Sequence, residues 1–169
     1  MSEKWKAAVW SQFGASIDML ENAIRQCPDE VWGDRSGFHE FWYMAYHTLF
    51  WLDYYLSGSN EDEFNPPPPY TRSEFDPEGA FPDRVYTREE LLKYLEYSRA
   101  NCRERIAGLG DGAMHQDCGI KERNLTNAEL LLYNMRHVQH HAAQLNLLLR
   151  QKIDSAPRWV SRARVGLAG

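Results

Sequence analysis

The sequence predicts an all-α protein that folds as a four-helix bundle. In four segments the apolar residues recur at intervals of three and four, the period of a helix with one buried face. Two of these segments begin with a capping box, a threonine followed three residues later by a glutamate. The connections between the segments are short, long and medium in length, as in bundles with a crossover connection. A chain of 169 residues can bury such a core, and we expect residues 1–169 to form one domain.

The first two helices are predicted from their apolar patterns. Residues 3–26 form an amphipathic helix capped by Ser2, and residues 27–36, which contain a proline, a glycine and short polar residues, connect it to the next. We expect the second helix to begin near Gly37 and to continue to Leu56. It is apolar and aromatic nearly all round, and such a helix must be surrounded by protein. It is therefore predicted to be the central helix.

A long proline-rich connection, residues 57–86, joins the second and third predicted helices. Its prolines, including the run at residues 66–69, remove backbone donors and favour extended dihedral angles. Connections of this length are uncommon between helices. Two interpretations stay open: a packed surface crossover, or a segment whose aromatic residues dock it at the mouth of a pocket.

Capping boxes mark the starts of the last two predicted helices. Thr87 opens the third, which ends where several glycines follow, and Thr126 opens a fourth that continues to about Lys152. The C-terminal tail, residues 153–169, is too short for a further domain. We expect it to pack Trp159 against the bundle.

Composition and charge exclude several classes of function. The formal net charge is -5, and the basic residues are scattered among acidic ones, so nucleic acid is not an expected partner. The three cysteines have no metal-ligand spacing and are interpreted as reduced thiols. The N-terminal residues lack a secretory pattern, and no apolar stretch reaches the length of a membrane span. We therefore expect a cytoplasmic protein with no membrane partner.

Three histidines form the candidate metal site. His137 and His141 are one turn apart on the fourth helix, on the side of its apolar residues, so both rings face the core. His47 lies among aromatic residues on the second helix. A single inward histidine is more often a hydrogen-bonded core residue, but imidazoles on facing bundle helices can bind one divalent transition metal and leave a coordination position open. Such nitrogen ligands suit zinc best, and nickel can bind to the same set.

Several other polar residues are weaker candidates for the site. Asn134 and Gln144 lie one turn outside the histidine pair, where they either orient a ring or a substrate, or serve only in packing and solvent contacts. His140 falls at the rim of the apolar stripe and is expected at the surface or behind a ligand. His39 is too far along the second helix to share the same ion, and His115 has no companion at ligand spacing. No acidic residue is placed by spacing to act as a general base.

Two motifs around the histidines carry a resemblance to a known family. They are M-A-Y-H-T-L-F-W at residues 44–51 and R-H-V-Q-H-H-A-A-Q-L at residues 136–145, with Arg150 after them. Together with residues 28–32 and 157–160, these motifs resemble the DinB-like superfamily of metalloenzymes over nearly the whole chain. One departure is Ala143, where relatives often carry a glycine. At a helical position that change is mild.

The resemblance implies a fold, a cofactor and a class of chemistry. The fold is an up-up-down-down four-helix bundle, often dimeric, in which His47, His137 and His141 bind a divalent metal such as zinc or nickel. Characterised branches include transferases and isomerases that activate low-molecular-weight thiols, with cosubstrates of the bacillithiol or mycothiol type. The resemblance therefore implies a thiol-dependent transferase or isomerase with an open fourth coordination position.

Two other functions stay open. The first is hydrolysis, in which the metal activates water. The second is a non-catalytic metal-binding dimerisation module, in which an ion stabilises the bundle. The aromatic content and the proline-rich connection favour a homodimer.

Overall fold

A computed structural model describes residues 2–36, 40–121 and 123–168 of the chain. Within these residues the regular structure is helical, with a single isolated β-bridge between Asp117 and Thr126. The helices are α1 Glu3–Gln26, α2 Asp29–Trp32, α3 Phe41–Ser57, α4 Arg88–Gly108, α5 Asp111–Met114 and α6 Asn127–Ile153. The all-helical prediction is thus confirmed for the described part of the chain.

Four of these helices are long, and they enclose a common apolar core. Both α4 and α6 pack against α1 and α3. Phe13, Leu49, Leu95 and Leu145, one from each long helix, are fully buried. Each Å² of apolar surface removed from water stabilises the folded state by about 25 cal/mol. This shared interior is therefore the main stabilising contribution to the fold. The packing of α3 on α6 also brings the two histidine-bearing helices side by side.

The predicted N-terminal caps are present in the structure. Ser2 accepts a hydrogen bond from the backbone N–H of Trp5 at the start of α1. Reciprocal capping boxes form at Thr87 before α4 and at Thr126 before α6. Each box satisfies two N–H groups that would otherwise lack a partner, so it fixes the residue at which the helix begins.

The second predicted helix begins later than expected. It was predicted to start near Gly37, but α3 begins at Phe41, since Glu40 has an extended backbone with φ -67° and ψ 141°. Gly37 and His39 lie outside the described residues. The predicted connection before it also contains one helical turn, α2, whose acidic first residues favour a helix N-terminus.

Most of α3 is buried, as predicted for a helix that is apolar all round. Among its aromatic residues, Phe41, Tyr46 and Phe50 have no exposed surface. The exceptions include His47 and Trp51, which are half-buried and lie one turn apart on the side facing α6 and the α3–α4 connection. No helix in the described residues is both long enough and apolar enough to cross a membrane.

The C-terminal tail attaches to α1, but Trp159 does not pack against the bundle as expected. That side chain is 69% exposed. Attachment comes instead from Trp10, whose indole N–H donates to Val165 O at 2.7 Å, and from a close approach of Ala163 to Gly14. A Cβ atom at Gly14 would lie 2.6 Å from Ala163 Cβ, so only a glycine allows this contact.

The α3–α4 connection, residues 58–87, is held against the bundle by aromatic side chains. It contains a single 3-10 turn, Ser73–Phe75. The Phe75 ring packs against Phe50, Trp51 and Tyr54 of α3, with ring centroids 4.9, 5.6 and 5.0 Å away. The Tyr46 hydroxyl donates to Thr71 O at 2.6 Å. This docking places the residue before Phe75, Glu74, next to the exposed side of α3.

Candidate metal site

The three histidines predicted as ligands lie together in the structure. His47 comes from α3, and His137 and His141 come from successive turns of α6. Their ring centroids are separated by 5.5 Å (47 to 137), 4.8 Å (47 to 141) and 4.5 Å (137 to 141). One ring nitrogen from each can be chosen so that all three lie within 4.8 Å of one another. The rings are thus within metal-binding distance of a common centre.

A carboxylate fixes the orientation of His47. Glu74 Oε2 lies 2.6 Å from His47 Nδ1 and also accepts a hydrogen bond from Trp51 Nε1 at 2.9 Å. The Glu74 side chain is only 4% exposed, whereas that of His47 is 29% exposed. Because an ionised carboxylate only accepts hydrogen bonds, Nδ1 is the donor, so Nε2 is the ring nitrogen that is left for a metal.

Glu74 stays ionised despite its burial. Burial raises the pKa of this carboxyl, but the hydrogen bond and charge of His47 lower it, as do hydrogen bonds from Tyr43 and Trp51. The net shift of the Glu74 pKa is downward. The site therefore carries one fixed negative charge behind His47, which makes the imidazole a better electron donor to a cation.

An amide orients His141 in the same way. Gln144 Oε1 lies 2.7 Å from His141 Nδ1, and an amide oxygen can only accept, so Nδ1 again donates and Nε2 is free. Gln144 stands three residues along the same helix, where i, i+3 side chains are neighbours. Of the residues expected to orient a ring, Gln144 is thus the one that contacts a ligand candidate through a hydrogen bond.

His137 and His141 are held neutral by their surroundings. Burial, with smaller contributions from the neighbouring histidines and Arg123, lowers the pKa of His137 to about 3. Burial and the nearby His47 lower the pKa of His141 to about 4. His137 Nδ1 is buried and has no hydrogen-bond partner. Neutral imidazoles with an unsatisfied nitrogen can bind a cation at neutral pH without first losing a proton.

The remaining candidates lie around this group in different ways. Asn134 donates to Leu52 O at 3.0 Å, so its amide ties α6 to α3 and bonds to backbone rather than to a ring. His140 is exposed, and its ring stands 5.1 Å from that of His141 in an edge-on contact. His115 is exposed at the end of α5.

Among the described residues, no cysteine or carboxylate joins the three histidines as a further potential metal ligand. The only group of three or more potential ligands found there comprises the three histidines. Cys27, Cys102 and Cys118 are buried free thiols, and burial raises the pKa of Cys27 to about 12. Three protein ligands leave one position of a tetrahedral ion for water or a substrate, as in catalytic zinc sites.

Glu74 is the site residue that the sequence did not reveal. It lies 27 residues from His47, in a connection without helical periodicity, so no spacing rule relates the two. The signal that could have found it is Phe75, an aromatic residue in a polar stretch, which suggested that the connection docks on the bundle. The connection, residues 58–87, thus contributes a carboxylate to the surroundings of His47.

The chain was compared with protein-family models, curated proteins and solved structures. A family model described as DinB superfamily matches residues 12–145, which include all three histidines and Glu74. No curated protein and no solved structure matches the chain.

Proposed function

Because the chain belongs to the DinB superfamily, we propose that it is a divalent-metal-dependent enzyme with His47, His137 and His141 as the metal ligands. The observation that carries the proposal is that three imidazole nitrogens from two helices lie within 4.8 Å of one another. Nitrogen donors in this number suit zinc, our preferred ion, and can also bind nickel.

The surroundings of the three rings support this assignment. His47 and His141 each use Nδ1 in a hydrogen bond to an oxygen, of Glu74 and Gln144 respectively, as metal-bound histidines do. Two of the rings are neutral, and His137 has a buried nitrogen without a partner. If the rings served packing alone, that nitrogen would cost about 1–3 kcal/mol of stability.

The chemistry proposed is thiol-dependent group transfer or isomerisation, with a low-molecular-weight thiol of the bacillithiol or mycothiol type as cosubstrate. When bound, a zinc ion lowers the pKa of a thiol or water that coordinates to it. The protein's own part is to hold the rings fixed through Glu74 and Gln144 and to keep one side of the group open. The 29% exposure of the His47 side chain supports access from solvent on that side.

The proposal extends to the arrangement of the chain. We propose that residues 1–169 form one domain in which α1, α3, α4 and α6 make an up-up-down-down bundle with the α3–α4 connection as its crossover. This topology is consistent with α1 and α3 each packing against both later long helices. We further propose a cytoplasmic homodimer.

Metal content and thiol binding test the proposed function directly. Natively expressed protein should contain one divalent ion per chain by elemental analysis. The His137→Ala variant should lose the ion, and His140→Ala, which alters an exposed neighbour, should keep it. Cobalt-substituted protein should change its visible spectrum when a small thiol is added, because thiolate ligation alters the absorption of the metal. A spectrum that responds to no thiol, with exchangeable water at the ion, would favour the hydrolase; a saturated coordination shell would leave only the non-catalytic module.

A further inference from the structure

Arg123 lies in the connection between α5 and α6, and two tyrosines hold its side chain. Its guanidinium carbon is 5.3 Å from the ring centroid of Tyr55 and 5.4 Å from that of Tyr133. Nη2 donates to the Tyr55 hydroxyl at 2.9 Å, and Nη1 donates to the Tyr133 hydroxyl at 3.3 Å. The half-buried arginine is therefore fixed in position rather than free in solvent.

This arginine is close to the three-histidine group. The Tyr55 ring that contacts it stands edge-on to His137, with ring centroids 6.2 Å apart. The Tyr55 ring thus contacts both the guanidinium of Arg123 and the His137 ring. The positive charge of Arg123 also contributes to the lowered pKa of His137, which agrees with this placement.

The positive charge of Arg123 has no counter-charge among the described residues. Its two hydrogen-bond partners are phenols, and burial raises the pKa of the Tyr55 hydroxyl, so Tyr55 stays neutral at physiological pH. No carboxylate of the described chain forms an ion pair with it, whereas Arg84, Arg88, Arg99 and Arg164 each have at least one such partner. A guanidinium has five N–H donors, and the two phenols use two of them.

We propose that Arg123 binds an oxyanion, a carboxylate or phosphate group, of the small molecule used at the three-histidine site. The planar donor fork of arginine matches the two oxygens of such a group. The proposal rests on the proposed function, since it assigns a substrate class to the same site. The substrate or thiol cosubstrate is then anionic. Its charged group binds at Arg123, on the far side of the Tyr55 ring from the group that binds the metal.

Matched thiol probes test this assignment in cobalt-substituted protein. The probes are 3-mercaptopropionate, its neutral amide and 2-mercaptoethyl phosphate, each titrated against the visible spectrum of the metal. A hydrogen bond between charged groups raises affinity about tenfold. The carboxylate or the phosphate probe should therefore bind about tenfold tighter than the amide. The probe with the larger preference identifies which oxyanion the site accepts.

Arginine variants show whether Arg123 causes the preference. Arg123→Met keeps the aliphatic stem between the tyrosines and should bind all three thiols alike, with cobalt affinity unchanged. Arg136→Met is the matched control, because Arg136 is exposed and its guanidinium carbon lies 5.8 Å from the other neighbour ring, Tyr133. That variant should keep the preference. A preference that persists in Arg123→Met, or equal binding of all probes by the unaltered protein, would overturn the proposal.

A measurement on the unaltered protein covers the case in which Arg123→Met does not fold. Phenylglyoxal modifies accessible guanidinium groups, and mass spectrometry locates the modified residue. The preferred anionic thiol should slow modification of Arg123 at least fivefold while the amide does not, and equal rates would count against the assignment. Failure of the proposed function has a different signature, in which neither cobalt nor any thiol binds.

Discussion

Replacement of Glu74 tests how the α3–α4 connection supports the three-histidine group. Glu74→Ala removes the acceptor of the hydrogen bonds from His47 Nδ1 at 2.6 Å and from Trp51 Nε1 at 2.9 Å. A hydrogen bond to a charged group contributes about 1.5–3 kcal/mol, and supporting contacts of metal ligands are typically worth about 10–100-fold in metal affinity. We expect zinc affinity to fall by that factor. Glu74→Gln keeps an acceptor oxygen but removes the charge, so its zinc affinity should fall by a smaller factor than that of Glu74→Ala.

Competition with a chromophoric chelator measures these affinities. Glu78→Gln is the matched control, since Glu78 is an exposed acidic residue of the same connection and should bind zinc like the unaltered protein. The melting temperature of each metal-free variant shows separately whether the connection still docks. Unchanged zinc affinity in a folded Glu74→Ala variant would refute the view that this carboxylate orients His47.

Three further predictions concern the metal, pH and packing. Excess zinc should raise the melting temperature of the unaltered protein and of His140→Ala but not of His137→Ala, because only a ligand that binds the native state stabilises it. Burial raises the pKa of Asp53 from 3.8 to about 6, so ionisation destabilises the fold as pH rises through this range. Asp53→Asn should therefore increase the free energy of unfolding by up to about 3 kcal/mol at pH 7 and change it little below the unfolded-state pKa, as measured by urea denaturation; a loss of stability at pH 7 would contradict this. Gly14→Ala should destabilise the protein by about 1–3 kcal/mol, because the new Cβ would lie 2.6 Å from Ala163 Cβ; an unchanged urea midpoint would show that the tail can shift at no cost.

Local sequence rules predicted the four long helices and the side of the last one on which His137 and His141 lie. Capping boxes at Thr87 and Thr126 act within four residues, so their presence in the sequence was enough to place two helix starts. A rotation of 100° per residue puts His137 and His141 on one side of any regular helix. The match of residues 12–145 to the DinB superfamily agrees with the resemblance that these motifs carry.

Contacts between distant segments required the tertiary structure. Whether His47 stands at the same height as the α6 pair depends on how α3 packs on α6, which no spacing within one helix specifies. Glu74 contacts His47, and Arg123 contacts Tyr55 beside His137, from connections without periodicity that aromatic neighbours hold in place. Trp159, which we expected to be buried, is exposed. An apolar residue in a tail need not be buried when backbone contacts attach the tail.

By itself, the sequence determined that four long segments are helical and that His137 and His141 share the apolar side of the last one, because hydrogen bonding and side-chain period along a helix are local properties. The tertiary structure alone decided the separation of the three rings and the carboxylate behind His47. Those depend on packing between segments far apart in the chain, where the burial of many apolar side chains acts together.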